Sequence, residues 1–274
     1  MTKRAARSDE GALVTVAEPR ETDFVQSLQR GLAVIRAFDA EHPALTLSEV
    51  ARATGLARAA ARRFLLTLVD LGYMRVDDRR FMLTPRVLEL GHAYLSSLTL
   101  PEIALPYLRD FVSEIRESSS LCVLDEDQIV YVARVPANRI MSVTISVGTR
   151  FPAFATSLGR VLLAGQSDDW LETRLENANL TPLTARTIAS YEGLRAEIER
   201  VRVQGWAMVD QELEEGLRSL AVPIHDASGR VTAAINVSVH ASRWSLEAVR
   251  EQLLPRLLET AAAIDRDANA SARA

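Results

Sequence analysis

Residues 46–71 read TLSEVARATGLARAAARRFLLTLVDL, and the N-terminal fold follows from this stretch. Thr46 stands three residues before Glu49, the hydroxyl-to-carboxylate spacing of a capping box, and it opens a short helix through Val50, Ala51 and Ala53 that stops at Gly55. From Arg58 a second helical period, Ala61, Phe64, Leu65, Leu68 and Leu71, predicts a longer helix docked by that stripe and closed at Gly72. Upstream, Leu28, Leu32, Ile35 and Phe38 recur at helical spacing until His42 and Pro43 interrupt them. Downstream, Tyr73 to Val76 and Phe81 to Leu83 flank the polar tip Asp77-Asp78-Arg79-Arg80, which reads as a hairpin. Three helices, with a tight glycine turn between the last two, followed by a hairpin form a winged helix-turn-helix over residues 24–84. Residues 1–23 carry no hydrophobic period and are expected to be a disordered tail. A linker helix is expected over 85–100, with the domain junction at Pro101.

The third helix has the chemistry of a DNA reader. Its first half presents Arg58, Ala59, Ala60, Arg62 and Arg63, and Arg58 and Arg62 share a face one turn apart. A guanidinium bonds guanine O6 and N7 together or holds a phosphate, and the small alanines let a helix approach base edges. Arg79 and Arg80 at the hairpin tip are placed to follow the neighbouring phosphates or minor groove. Two other readings stand beside this one: arginines that only solvate an exposed face, and a three-helix domain that binds protein or mediates dimerisation.

Composition sets the frame. The chain has 274 residues, 48% hydrophobic, 25% charged and 5% aromatic, which is ordinary for a folded protein of about two domains. Net charge is −4 but uneven, with ten arginines against six acidic residues in 24–86 and a net of −7 beyond. A basic module on an acidic body points to a polyanion partner. No apolar run reaches the roughly 18 residues of a membrane span, and no signal-peptide pattern opens the chain, so a cytoplasmic protein without membrane contact is expected. A single cysteine, Cys122, in an apolar stretch reads as a small buried hydrophobe, and four scattered histidines lack zinc-ligand spacing, so neither metal nor cofactor is expected.

From about residue 101 to 267, helices and short strands alternate. Strands are expected at Leu121–Leu124, Ile129–Val135, Ile140–Val147, Trp206–Val209, Arg218–His225 and Arg230–His240, with helices laid over one face, an α+β sheet domain. A bend is expected at Pro255 in the last helix. Within this region Thr156-Ser157-Leu158-Gly159-Arg160 lies where a loop becomes a helix, and free backbone N–H groups there favour a carboxylate. Thr156 and Ser157 add hydroxyls and Arg160 a charge, although Arg160 has solvent or an acidic partner as alternatives. Asp210, Ser219, Asn236 and Ser238 supply polar groups among Leu220 and other apolar neighbours, as a mostly apolar small-molecule pocket requires. Met141 and Leu158 are candidates to line the same cavity. The alternatives are helix capping for Ser157, an ion-paired turn for Asp210 and an outer sheet face for Asn236 and Ser238. A small-molecule enzyme is the competing function, but Ser219, His225 and Asp226 lack the G-x-S-x-G elbow.

Three stretches resemble the IclR family of bacterial transcriptional regulators: SLQRGLAVI at 27–35, GTRFPAFATSLGR at 148–160 and DQELEEGLRSLAVPI at 210–224. Ser219 departs from the family form, where cysteine is frequent. The last stretch is most similar to the branch of protocatechuate, 4-hydroxybenzoate and β-ketoadipate regulators. The resemblance implies a GAF-like antiparallel-sheet sensor that binds a small aromatic or keto acid. It also implies dimers through the N-terminal region, tetramers through the sensor, and a double-stranded operator as partner.

Overall fold

The computed structural model describes residues 24–137, 145–175 and 178–272. The tail at 1–23, Met141 and most of the strand expected at Ile140–Val147 lie outside the described residues. The chain forms two compact units, 1–93 and 94–274.

The first unit contains α1 (Gln26–Arg36), β1 (Leu45–Thr46), α2 (Leu47–Thr54), α3 (Arg58–Asp70), β2 (Met74–Asp77) and β3 (Arg80–Leu83), then a 3-10 turn and α4 (Leu88–Leu95), which runs into the second unit. The capping box forms: Thr46 N–H donates to Glu49 Oε2 at 2.7 Å, and the Thr46 hydroxyl accepts from Glu49 N–H at 3.4 Å. Gly55 sits at φ +67°, the left-handed conformation that lets α2 end and α3 turn away within three residues. Val34, Phe38, Leu45, Val50, Leu65, Leu68, Met74 and Phe81 make the core. The strand β1, too short to announce itself, pairs with β3 and completes a three-stranded sheet of order β1-β3-β2.

Two expectations about burial are corrected here. Leu28 and Leu32 are exposed, whereas Val34 is fully buried, because α1 packs on its own unit only through its C-terminal half. Leu71 is also exposed, since α3 has already ended at Asp70.

The second unit runs α5 (Thr99–Ile115), β4 (Ser118–Asp125), β5 (Gln128–Val135), β6 (Arg150–Pro152), a 3-10 turn (Ala153–Ala155), α6 (Ser157–Ala164), α7 (Asp168–Leu175), α8 (Tyr191–Gln204), β7 (Ala207–Asp210), β8 (Leu217–His225), β9 (Val231–His240), α9 (Leu246–Ala248) and α10 (Leu254–Ser271). Its six strands form one antiparallel sheet of order β6-β5-β4-β9-β8-β7. Helices cover both faces, not one. Leu108 and Phe111 of α5 and Leu257 and Ile264 of α10 pack with Leu121, Leu220, Ile235 and Val237. Leu158 and Leu162 of α6 and Leu194 and Ile198 of α8 pack on the other side with Cys122, Tyr131, Ala221 and Ala234. A sheet covered twice needs near-continuous burial along its strands, and β9 is buried from Ala233 through Val239.

Pro101 marks no break: it occupies the first turn of α5, where a missing N–H leaves no helical bond unmade. Pro255 likewise falls in the first turn of α10, and a π turn over Val249–Leu253 joins α9 to α10 without a chain reversal.

Candidate functional sites

In the first unit, α3 docks through Ala61, Leu65 and Leu68 and leaves Arg58, Ala59, Arg62 and Arg63 exposed, with Ala60 partly so. Its N-cap, Ala57, makes no side-chain hydrogen bond, so the first N–H groups of α3 face outward with the positive end of the helix dipole. That end and three exposed guanidinium groups, with no ion pair among the described residues, form a surface suited to phosphates and base edges. At the hairpin tip Asp78 and Arg79 both adopt positive φ, +41° and +63°, the geometry of a tight two-residue hairpin turn. Arg79 stands at the apex. Arg80, grouped with it by sequence, is engaged inside the unit: Nη1 donates to the Ala44 carbonyl at 3.1 Å and lies 4.0 Å from Glu49.

In the second unit, a cavity opens between the N-terminus of α6 and the sheet. Its apolar wall is Ile145, Ala155, Leu158, Val209, Leu213 and Leu217, and its polar side is Tyr131, Thr156, Ser157, Ser219, Asn236 and Ser238. Thr156, not Ser157, caps α6: its hydroxyl accepts from Gly159 N–H at 3.0 Å. Ser157 is thereby released to donate to Ser219 Oγ across the cavity edge at 2.8 Å. Asn236 Nδ2 donates to Ser219 Oγ at 2.9 Å and Ser238 Oγ at 3.0 Å, while its Oδ1 accepts from Ser120 N–H at 3.0 Å. Asn236 and Ser238 are therefore on an inner sheet face, one residue apart in the period of two. The α6 N-terminus with these hydroxyls suits a carboxylate among apolar walls.

Four expected site residues do other work. Arg160 is 1% exposed and its fork closes on Glu212, with Nη1 to Oε1 at 2.8 Å and Nη2 to Oε2; Nε donates to the Phe154 carbonyl at 3.1 Å, and Glu197 lies at 3.6 Å. Its charge is spent inside the protein. Asp210 accepts from Arg218 Nε at 2.7 Å across the strand pair and from Arg186 Nη1 at 2.6 Å. Leu220 follows Ser219 on β8 and so faces the α5 and α10 side of the sheet. Gly159 packs against backbone: a Cβ there would lie 2.1 Å from the Ala153 carbonyl oxygen. Gly159→Ala is accordingly expected to destabilise the second unit by about 1–3 kcal/mol, read as a lower urea midpoint. An unchanged midpoint would mean that the turn at Ala153 yields freely.

Val209 lines the cavity as its place beside Asp210 suggests, whereas Tyr131, Leu213 and Leu217 are not legible in the sequence. These three come from two strands and a loop, and nothing local in the sequence ties them to one cavity. The loop after β7 holds Leu213 in place through its polar neighbours. Gln211 takes φ +62° and its Oε1 accepts from Gly216 N–H at 3.0 Å, and the Glu212 carbonyl accepts from Thr187 Oγ1 at 2.7 Å. Cys122 is fully buried, and desolvation pushes its thiol well above the ordinary range, as its apolar context predicts.

A DNA-reading module and an acid-suited cavity on one chain define a transcriptional regulator that answers to a small molecule. Residues 27–78 match the IclR helix-turn-helix domain and residues 92–266 match the bacterial transcriptional regulator IclR C-terminal domain, so the chain belongs to the IclR family. The Pca regulon regulatory protein of Pseudomonas putida is 48% identical over 239 residues, 87% of this chain and 82% of that protein. A Rhodococcus sp. RHA1 crystal structure superposes with TM-score 0.80 at 56% identity, covering 90% of this chain and all of that one. An IclR homologue from Microbacterium hydrocarbonoxydans, crystallised with 4-hydroxybenzoate, superposes with TM-score 0.76 at 26% identity, over 89% of this chain and 99% of that one.

Proposed function

We propose that this regulator controls an aromatic-acid or β-ketoadipate catabolic pathway and takes its effector, a small organic acid, in the cavity at the α6 N-terminus. The observation that carries the reading is the conjunction of that N-terminus with Ser157, Ser219, Asn236 and Ser238 on one buried face. The Pseudomonas relative and the 4-hydroxybenzoate complex support it. In this reading residues 24–84 hold the operator, with Arg58, Arg62, Arg63 and Arg79 as its contacts. Residues 85–100 couple the modules, and 101–267 sense the effector. Coupling requires the acid to bind one sensor conformation more tightly than another. The protein acts in the cytoplasm as a homo-oligomer. Phe24, Val25, Leu28 and Leu32, all exposed in the first unit, supply an apolar ridge for a second copy. No helix among the described residues is long and apolar enough to cross a membrane.

The test is titration of the full-length protein with a panel of aromatic and keto acids, followed by calorimetry and by operator affinity. Substituting Ser157→Ala and Ser238→Ala together is expected to weaken the best acid about tenfold, as loss of two hydrogen bonds requires. Unchanged affinity would place the effector elsewhere.

A further inference from the structure

Arg134, on β5, lies on the cavity face of the sheet. It is half-buried, and among the described residues its guanidinium makes one hydrogen bond, Nη1 to Ser120 Oγ at 3.3 Å. No carboxylate among the described residues pairs with it. The other buried or half-buried arginines of this unit differ: Arg160 pairs with Glu212, Arg218 with Asp210, and Arg195 and Arg202 with Asp168. Partial desolvation of the half-buried guanidinium draws the Arg134 pKa down from the arginine norm.

Register fixes where Arg134 sits. Ser120 opposes Arg134 on β5 and Asn236 on β9, and Ser118 opposes Ser238. Residues directly opposite share a face, so the side chains of Arg134, Ser120, Asn236, Ser238 and Ser219 form one polar strip across four adjacent strands. Ser118, Ser120, Asn236 and Ser238 are each at most 5% exposed. One end lies under the α6 N-terminus, at Ser219. The other ends at the guanidinium over Ser120, two strand spacings or about 10 Å away. Between them Tyr131 lines the cavity at 4% exposure, and its hydroxyl makes no hydrogen bond among the described residues.

We infer that Arg134 is the second anchor of the effector site, and that the effector carries an anionic group at each end, one on the α6 N-terminus and one on Arg134 with Tyr131 beside it. This rests on the cavity at α6 being the effector site. The geometry then selects dicarboxylates over monocarboxylates of the same skeleton, since only a dianion supplies the missing counter-charge.

Two matched pairs test it by calorimetry on the full-length protein: terephthalate against benzoate, and adipate against hexanoate, so that neither ring nor chain shape decides. In at least one pair the dicarboxylate is expected to bind tenfold or more tightly, the worth of a charge-assisted bond. Arg134→Gln is expected to abolish that preference by weakening the dicarboxylate tenfold or more, and Arg134→Lys to retain part of it. Wild-type protein that prefers neither member of both pairs overturns the inference without any variant. So does a preference that survives in Arg134→Gln, and in both cases the cavity reading stands. Acid binding that is insensitive to the Ser157 and Ser238 substitutions removes the cavity reading, and this inference with it.

Discussion

Arg160→Ala is expected to destabilise the second unit by about 3–5 kcal/mol, enough to leave a large fraction of the protein unfolded at growth temperature. Glu212 and Glu197 lie within reach of the Arg160 guanidinium, with side chains no more than 10% exposed. Removing the cation leaves the Glu212 carboxylate, among the described residues, with the Ile188 N–H at 3.0 Å as its remaining donor. It also frees the Phe154 carbonyl that turns the chain into α6. Chemical unfolding measures the loss. A double-mutant cycle with Glu212→Gln separates the pair from general packing: the two changes together are expected to cost less than their separate effects summed. Additive losses within about 0.5 kcal/mol would show that the pair is not coupled and that Arg160 acts through its bulk alone. Because Arg160 lies outside the cavity lining, the folded fraction of a mild variant should still bind acids with wild-type affinity.

The second large effect belongs to the opposite end of the chain. Arg58→Ala with Arg62→Ala is expected to lower operator affinity at least about thirtyfold at fixed salt, at about 1–3 kcal/mol for each arginine that reads a base. Both side chains are exposed and neither holds the unit together, so the unfolding midpoint should move by no more than about 0.5 kcal/mol. The salt dependence discriminates between roles. A shallower slope of log affinity against log salt marks phosphate contacts, and an unchanged slope with relaxed sequence preference marks base contacts. Operator affinity that survives both substitutions would remove α3 as the reading element. The same operator-affinity measurement on Arg79→Ala is expected to show a smaller loss, as for a single phosphate or minor-groove contact.

The first unit was legible almost residue by residue, because its signals are local. A capping box needs three residues of spacing, a glycine turn needs one residue in the left-handed region, and a docked helix announces its stripe every third or fourth position. Thr46, Glu49, Gly55, Ala61, Leu65 and Leu68 all behave as those rules require. Where local rules misled, as at Leu28 and Leu32, the helical period was right and only the presence of something to pack against was absent. Periodicity identifies the apolar face of a helix; it does not say how far that face extends under its neighbours.

In the second unit the sequence by itself determined β4, β5, β7, β8, β9 and the loop-to-helix position that suits a carboxylate, since each depends on residues within a few positions of one another; β6 and the Thr156 cap of α6 lie outside that reading. Tertiary structure alone decided which polar residues face the cavity. Ser219 and Leu220 are adjacent in sequence and on opposite sides of the sheet. Arg160 and Glu212 are 52 residues apart and share one buried ion pair. Among the described residues Arg134 has no such partner, although nothing near it in sequence distinguishes it from its neighbours. Whether a charge meets its counter-charge depends on strand register and on which helix crosses above, and those are long-range geometric facts that no short window of residues contains.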